Sequence, residues 1–245
     1  PDVVLRYAEH SEAVVDVFWP AAFGVPETPS RLVVLFHGGF WRQDFDRTHL
    51  RPLAGALTRR GFVVALPEYR RIGGGGGWPL TGYDVEAALA VIPSAVEGVS
   101  PGRIDPVAPC VVAGHSAGGH LALWAGLRAG AAKVASIVAL APVADLVYGA
   151  ETRIGDGAVI DLMGGSPAEV PDAYADADVL ALLTGEVPVT LIQGTDDKQV
   201  TVDMSRRMAD ARGVTYVELE GIEHFALIDP LAHTFEEQLL PALTR

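Results

Sequence analysis

Three groups of residues have the types and spacing that nucleophilic acyl chemistry needs. The sharpest is Gly114-His115-Ser116-Ala117-Gly118-Gly119, a G-x-S-x-G pattern between an apolar run and a helical stretch. A serine on such a strand-to-helix turn stands at the tip of a sheet, and glycines two residues to either side keep the tight turn free of clashes. The following helix aims its positive N-terminus at the place where an oxyanion would develop. A serine hydroxyl is a weak nucleophile until a base takes its proton. Of the seven histidines, His224 is the candidate, because Gly221-Ile222-Glu223-His224-Phe225 reads as a loop after the last strand. His37 and His115 flank the other motifs, His233 falls in a helical stretch, and His10, His49 and His120 precede any plausible acid in the order nucleophile, acid, histidine.

That order places the acid after the penultimate strand, in Gly194-Thr195-Asp196-Asp197. Asp197 is expected at the loop tip, turned towards His224, with Asp196 satisfying backbone donors in the turn. Asp145, after an earlier strand, is a third option. The acid would orient the imidazole and stabilise its charged form without taking the proton. The third group is His37-Gly38-Gly39-Phe40-Trp41. A glycine pair directly after a buried strand lets backbone N–H groups reach a reacting carbonyl unobstructed. The expected oxyanion donors are the N–H groups of Gly39, Phe40 and Ala117, each worth about 3 kcal/mol in the transition state. Phe40, Trp41 and Trp78 are placed either to line an apolar pocket or, as aromatics, to fill the core. This chemistry needs no metal and no organic cofactor.

The elements that must hold these groups follow from hydrophobic periodicity. Strands are expected at Val14 to Trp19, Leu32 to Phe36, Phe62 to Leu66, Cys110 to Ala113, Ser136 to Leu140, Val189 to Gln193 and Thr215 to Leu219. Between them, helical spacing covers Thr48 to Arg60, Tyr83 to Val96, Ala117 to Arg128 and Val202 to Arg212, with a last amphipathic helix over Leu231 to Leu240. Strands alternating with helices mean βαβ units and a mostly parallel central sheet with helices on both faces. The whole chain, 1–245, reads as one α/β domain. Residues 143–187 are too many for an ordinary connection and are expected to form a small insertion or partial lid after the sixth strand. The five glycines Gly73 to Gly77 lack the ending of a phosphate-binding loop and read as a mobile surface loop.

Composition narrows the partners. A chain that is 49% hydrophobic and 20% charged can bury a substantial core. A formal net charge of −13 opposes binding to nucleic acid or to an anionic membrane surface, leaving a small molecule as the expected partner. The single cysteine, Cys110, excludes an intrachain disulfide and reads as a small buried hydrophobe. No apolar run reaches membrane-spanning length, the first ten residues lack the layout of a signal peptide, and a cytoplasmic location is expected.

On these motifs the chain resembles the esterase/arylformamidase branch of the α/β-hydrolases. His37-Gly38-Gly39-Phe40-Trp41 is similar to the HGGxW signature of kynurenine formamidases, and the motif order from Leu32 to Phe225 follows that branch. Pro67-Glu68-Tyr69-Arg70 resembles its tyrosine-arginine turn, with Glu68 where many relatives carry Asp or Asn. The Asp197 and His224 loops look like those of prolyl-oligopeptidase-type hydrolases. The resemblance implies an α/β-hydrolase fold, a triad of Ser116, Asp197 and His224, and hydrolysis of a small carboxylic ester or arylformamide through an acyl-enzyme. The alternatives are a peptidase or acyltransferase of the same fold, and a non-catalytic small-molecule receptor.

Overall fold

The continuous apolar runs of the sequence become the inner strands of an eight-stranded sheet. The structure, a computed structural model, describes residues 1–21, 28–211 and 213–245. The strands are β1 (Val3–Arg6), β2 (Val14–Phe18), β3 (Leu32–Phe36), β4 (Val63–Pro67), β5 (Cys110–His115), β6 (Val134–Leu140), β7 (Val189–Gly194) and β8 (Val214–Leu219). Their spatial order is β1-β2-β4-β3-β5-β6-β7-β8. Only the pairings made by β2 are antiparallel; every other neighbour is parallel. The edge strand β1 escapes periodicity analysis because it is short and half-exposed, with no continuous buried face.

Parallel neighbours need crossover connections, and helices supply them. These are α1 (Arg51–Thr58), α2 (Leu80–Val99), α3 (Ala117–Ala129), α4 (Leu146–Glu151), α5 (Ile154–Met163), α6 (Pro171–Ala177) and α7 (Val202–Arg206), with α8 (Leu240–Thr244) at the end of the chain. Alternate strand residues divide between two cores, as the pleat demands. Val34, Phe36, Ala65 and Val112 pack with Leu89 and Ile92 of α2 and with Leu121 and Trp124 of α3. Val33, Leu35, Val64 and Val111 face the other way, against Leu53 and Leu57 of α1 and the C-terminal Phe235, Leu239 and Leu243. Each such side chain contributes about 1.5–3 kcal/mol by leaving water. Helices therefore cover both faces, as the alternation predicts.

Several expected elements differ in extent. The helix expected over Val202 to Arg212 is regular only through α7. Beyond it Met208, Ala209 and Ala211 donate to carbonyls three residues back, and Arg212 lies outside the described residues. The last helix starts later than Leu231, because Asp229 accepts from the N–H of Leu231 and its carbonyl accepts from Ala232, making a turn there. It opens as a π-helical turn over Phe235–Leu239 and continues into α8. Pro241, with no N–H to donate, lies just past that wider turn. The pentaglycine is a hydrogen-bonded turn and not a free-standing loop. Gly74 and Gly76 both donate to the Arg71 carbonyl, and Gly73, Gly75 and Gly77 take φ of 85°, 82° and 129°, a region favouring glycine.

Candidate active site

The turn from β5 into α3 has the backbone that the glycine pattern foretells. Ser116 sits at φ 58°, ψ −121°, a conformation that costs a non-glycine residue about 1–3 kcal/mol. Neighbouring glycines make it possible. A Cβ on Gly114 would press on the carbonyl of Gly118, and one on Gly118 would press on the carbonyls of Phe36 and His37. The Ser116 N–H donates to Leu140 O at 2.8 Å, tying the turn to β6. Gly38 lies against the same turn, 2.9 Å (from its would-be Cβ) from the His115 carbonyl. The segment after β3 is thus held close to Ser116 because glycine offers nothing to obstruct it.

Asp197 and His224 come together at the C-terminal ends of β7 and β8. The Asp197 Oδ2 lies 2.6 Å from His224 Nδ1, with both side chains buried. Asp197 Oδ1 accepts the backbone N–H groups of Gln199 and Val200, each at 2.8 Å. The turn donors expected at Asp196 therefore go to Asp197, and Asp196 is exposed, because the loop turns its own carboxylate outward. Asp145 caps α4 by accepting from Tyr148 N and pairs with Arg207, away from any histidine. Of the three candidate acids, only Asp197 meets His224.

Two residues that sequence reasoning passed over support this pair. Gln193 donates from Nε2 to Asp197 Oδ2 at 3.1 Å while its Oε1 accepts from Ser205 Oγ at 2.9 Å. Its signal in the sequence is a polar side chain ending the apolar run of β7. The second is His115, whose Nε2 lies 3.1 Å from the His224 carbonyl. Burial, reinforced by the neighbouring His224, pushes His115 well below the ordinary histidine range. It is therefore neutral, with its one proton on Nε2, donating to His224 O.

Ser116 and His224 open into one cavity of about 570 Å³. Gly39, Phe40, Phe45, His49 and Pro52 form one side, and Gln199, Phe225, Ile228, Asp229 and Pro230 the other. His49 Nδ1 lies 2.6 Å from the Asp46 carbonyl, so that nitrogen carries the proton and Nε2 is an acceptor. The backbone turns through φ 104°, 53° and 55° at Gly39, Phe40 and Trp41. Among the described residues, the N–H groups of Gly39 and Phe40 donate to no other protein group. Trp41 and Trp78, by contrast, do not line this cavity. Trp41 is fully buried in the core, its ring edge-on to His120. Trp78 packs edge-on to Trp124 and donates to Asp176. Three successive left-handed residues swing the Trp41 side chain off the cavity wall and beneath it.

Residues 143–187 contribute nothing to the cavity lining either. Their helices stand behind it: the Gly155 carbonyl accepts from Arg42, and a Cβ at Gly155 would strike the Phe40 ring. This stretch therefore buttresses the Phe40 wall. Beneath the same segment, Glu68 accepts from Arg47 N at 3.0 Å and lies 2.7 Å from His37 Nε2. Burial raises the Glu68 pKa, but the His37 hydrogen bond and the charges of His37 and Arg71 outweigh it, leaving the carboxyl below its ordinary range.

The BD-FAE family model matches residues 15–211, a span running from β2 to just short of β8 and including Ser116 and Asp197. The chain belongs to the BD-FAE family. Among solved structures, this BD-FAE chain is similar to esterase B from Lactobacillus rhamnosis, at 20% identity and TM-score 0.80, over 98% of this chain and 82% of that one. It is also similar to a putative thioesterase from a Silicibacter species, at 24% identity and TM-score 0.77, over 98% and 84%. A thermophilic esterase from Thermogutta terrifontis aligns at 21% identity and TM-score 0.74, over 98% and 90%. At these identities the likeness establishes the α/β-hydrolase fold. None of the curated proteins matches the sequence. Among the described residues, no helix of this BD-FAE chain is long and apolar enough to cross a membrane.

Proposed function

We propose that this protein is a serine hydrolase that cleaves a small carboxylic ester or arylformamide through an acyl-enzyme. The observation that carries the reading is that His224, held by the buried Asp197 at 2.6 Å, opens into the same cavity as the strained Ser116 turn. Asp197 can accept only, so His224 Nδ1 carries a proton and Nε2 is left basic. His224 Nε2 takes the Ser116 proton as Oγ attacks the carbonyl carbon, and the tetrahedral oxyanion is met by the N–H groups of Gly39, Phe40 and Ala117. His224 returns the proton to the leaving alcohol or amine. Water, deprotonated by His224, then releases the acid and restores Ser116. The family membership and the apolar walls of Phe40, Phe45 and Phe225 support a small organic substrate.

The scissile bond is decided by assaying N-formylkynurenine beside a short-chain p-nitrophenyl ester with the same enzyme preparation. Turnover of the ester alone assigns a carboxylesterase, and faster turnover of the formamide assigns an arylformamidase. Turnover of neither these nor longer acyl esters overturns the proposal.

A further inference from the structure

His37 is fully buried, and both of its ring nitrogens face acceptors. Nε2 lies 2.7 Å from Glu68 Oε1. Nδ1 lies 2.8 Å from the carbonyl oxygen of Gly38. A backbone carbonyl cannot donate, so Nδ1 must carry a proton to make that contact. The other polar neighbour of Nδ1, the Tyr69 hydroxyl at 3.5 Å, gives its own proton to the His37 carbonyl at 2.7 Å and offers only a lone pair. Glu68 also cannot donate. It is a carboxylate that accepts from the backbone N–H groups of Arg47 and Tyr69 and faces Arg71 at 3.0 Å. Two acceptors require two protons on one ring.

The surrounding charges leave room for that cation. Arg47 turns its Nη2 to Asp16 at 2.9 Å, Arg51 shares the same carboxylate, and Arg71 is also paired with Glu12. The His37 ring nitrogen, at 2.7 Å, stands closer to the Glu68 carboxylate than the guanidinium of Arg71 at 3.0 Å or of Arg47 at 3.5 Å. The remaining titratable neighbours are Tyr69, stacked on the ring at 4.3 Å, and His49, edge-on at 5.8 Å, with Asp46 beyond.

We propose that His37 carries a proton on each ring nitrogen, donating to Glu68 and to the Gly38 carbonyl, and that it thereby orients and polarises the Gly38–Gly39 peptide as a positioning residue for the oxyanion hole. The Gly38 carbonyl and the Gly39 N–H belong to one planar trans peptide unit and point in opposite directions. A charged donor holding the carbonyl on the buried side therefore fixes the N–H on the cavity side. It also draws electron density towards the carbonyl, which makes the N–H a stronger donor. The role in turnover rests on the oxyanion assignment made above; the protonation state does not.

The test is a long-range ¹H–¹⁵N spectrum of the folded, histidine-labelled protein at about pH 8, above the ordinary histidine range of about 6.5. His37, assigned by its loss in His37→Asn, is expected to show protons on both ring nitrogens, while His115 shows one. Glu68→Gln removes the charged partner, so His37 should become singly protonated at the same pH. With it, kcat should fall between about tenfold and a thousandfold with KM little changed, the upper end being the effect of losing one oxyanion donor. A singly protonated His37 in the unmodified protein would overturn the proposal even if Glu68→Gln failed to fold. Unchanged kcat in a folded Glu68→Gln that has lost the His37 charge would overturn the positioning role. An inactive protein in which His37 is doubly protonated would instead count against the hydrolase reading.

Discussion

Replacing Asp197 by Asn tests the geometry of the acid more sharply than deleting it, because only one atom changes. Oδ1 of Asp197 accepts two backbone N–H groups, from Gln199 and Val200, at 2.8 Å each. An asparagine must keep its oxygen there, since its amide nitrogen would face two donors. The NH2 group is then forced to the Oδ2 position, where it meets His224 Nδ1 at 2.6 Å and Gln193 Nε2 at 3.1 Å. His224 can answer only by moving its proton to Nε2, the nitrogen that in the proposed mechanism receives the Ser116 proton. The base is thereby presented as the wrong tautomer, which in a known serine-protease triad costs about ten-thousandfold in kcat, or about 5.4 kcal/mol of barrier. Gln193 cannot escape by flipping without giving up its bond from Ser205. Its Nε2 keeps its bonds to the carbonyls of Val200 and Gly194, at 3.1 and 3.3 Å, so losing the Asp197 contact should cost only about 0.5–1.5 kcal/mol of stability. Asp196→Asn, on the exposed side of the loop, should leave activity within about threefold. The assay is kcat and KM on a p-nitrophenyl ester, with urea unfolding alongside. A loss below about tenfold in a folded Asp197→Asn, or a larger loss in Asp196→Asn, would refute the reasoning.

Other perturbations follow from the same contacts. Gly118→Ala would drive a methyl group into the carbonyls of Phe36 and His37; urea unfolding should show a loss of about 1–3 kcal/mol or more, since backbone cannot yield as a side chain does. Phe40→Ala opens the wall backed by Gly155 while keeping the Phe40 N–H, so kcat/KM should shift towards butyrate and hexanoate esters with acetyl esters only modestly impaired; an unchanged chain-length profile would show that the ring does not limit the acyl site. Burial raises the Cys110 thiol pKa from 9.0 to about 11. The unfolded thiol therefore loses its proton first, and stability should fall as pH rises between those values, by up to about 2–3 kcal/mol. Cys110→Ala should remove that part of the alkaline slope, and an identical slope in both proteins would contradict it.

The parts of this structure that were legible in the sequence are those where one local constraint decides. The strands Leu32–Phe36 and Cys110–His115 are buried on both faces, so they read as unbroken apolar runs. The Ser116 turn was legible because three of its neighbours must be glycine on steric grounds. Chain order pointed to Asp197 and His224 as partners, and the structure brings these two side chains together while Asp196 is turned outward, a register that depends on the backbone donors of Gln199 and Val200. What stayed hidden depends on tertiary direction. Trp41 follows two cavity residues in sequence, yet left-handed backbone at Gly39, Phe40 and Trp41 itself turns it into the core. The supporting role of His115 rests on a contact 109 residues away in the chain, which no local pattern encodes, whereas that of Gln193 lies four residues from Asp197 and is marked only by a polar side chain ending an apolar run. The stretch 143–187 stood out in the sequence by length alone. That it stands behind Phe40 follows from packing at Gly155.

The proposed activity depends above all on Ser116 as the nucleophile, activated by His224 and Asp197. The direct measurement is reaction of the intact protein with a fluorophosphonate probe, followed by peptide mass spectrometry and repeated on Ser116→Ala and His224→Ala. A single modified residue is expected, Ser116, with no labelling in Ser116→Ala and labelling slowed by orders of magnitude in His224→Ala. Labelling at another residue, or labelling that persists in folded Ser116→Ala, would contradict that role for Ser116.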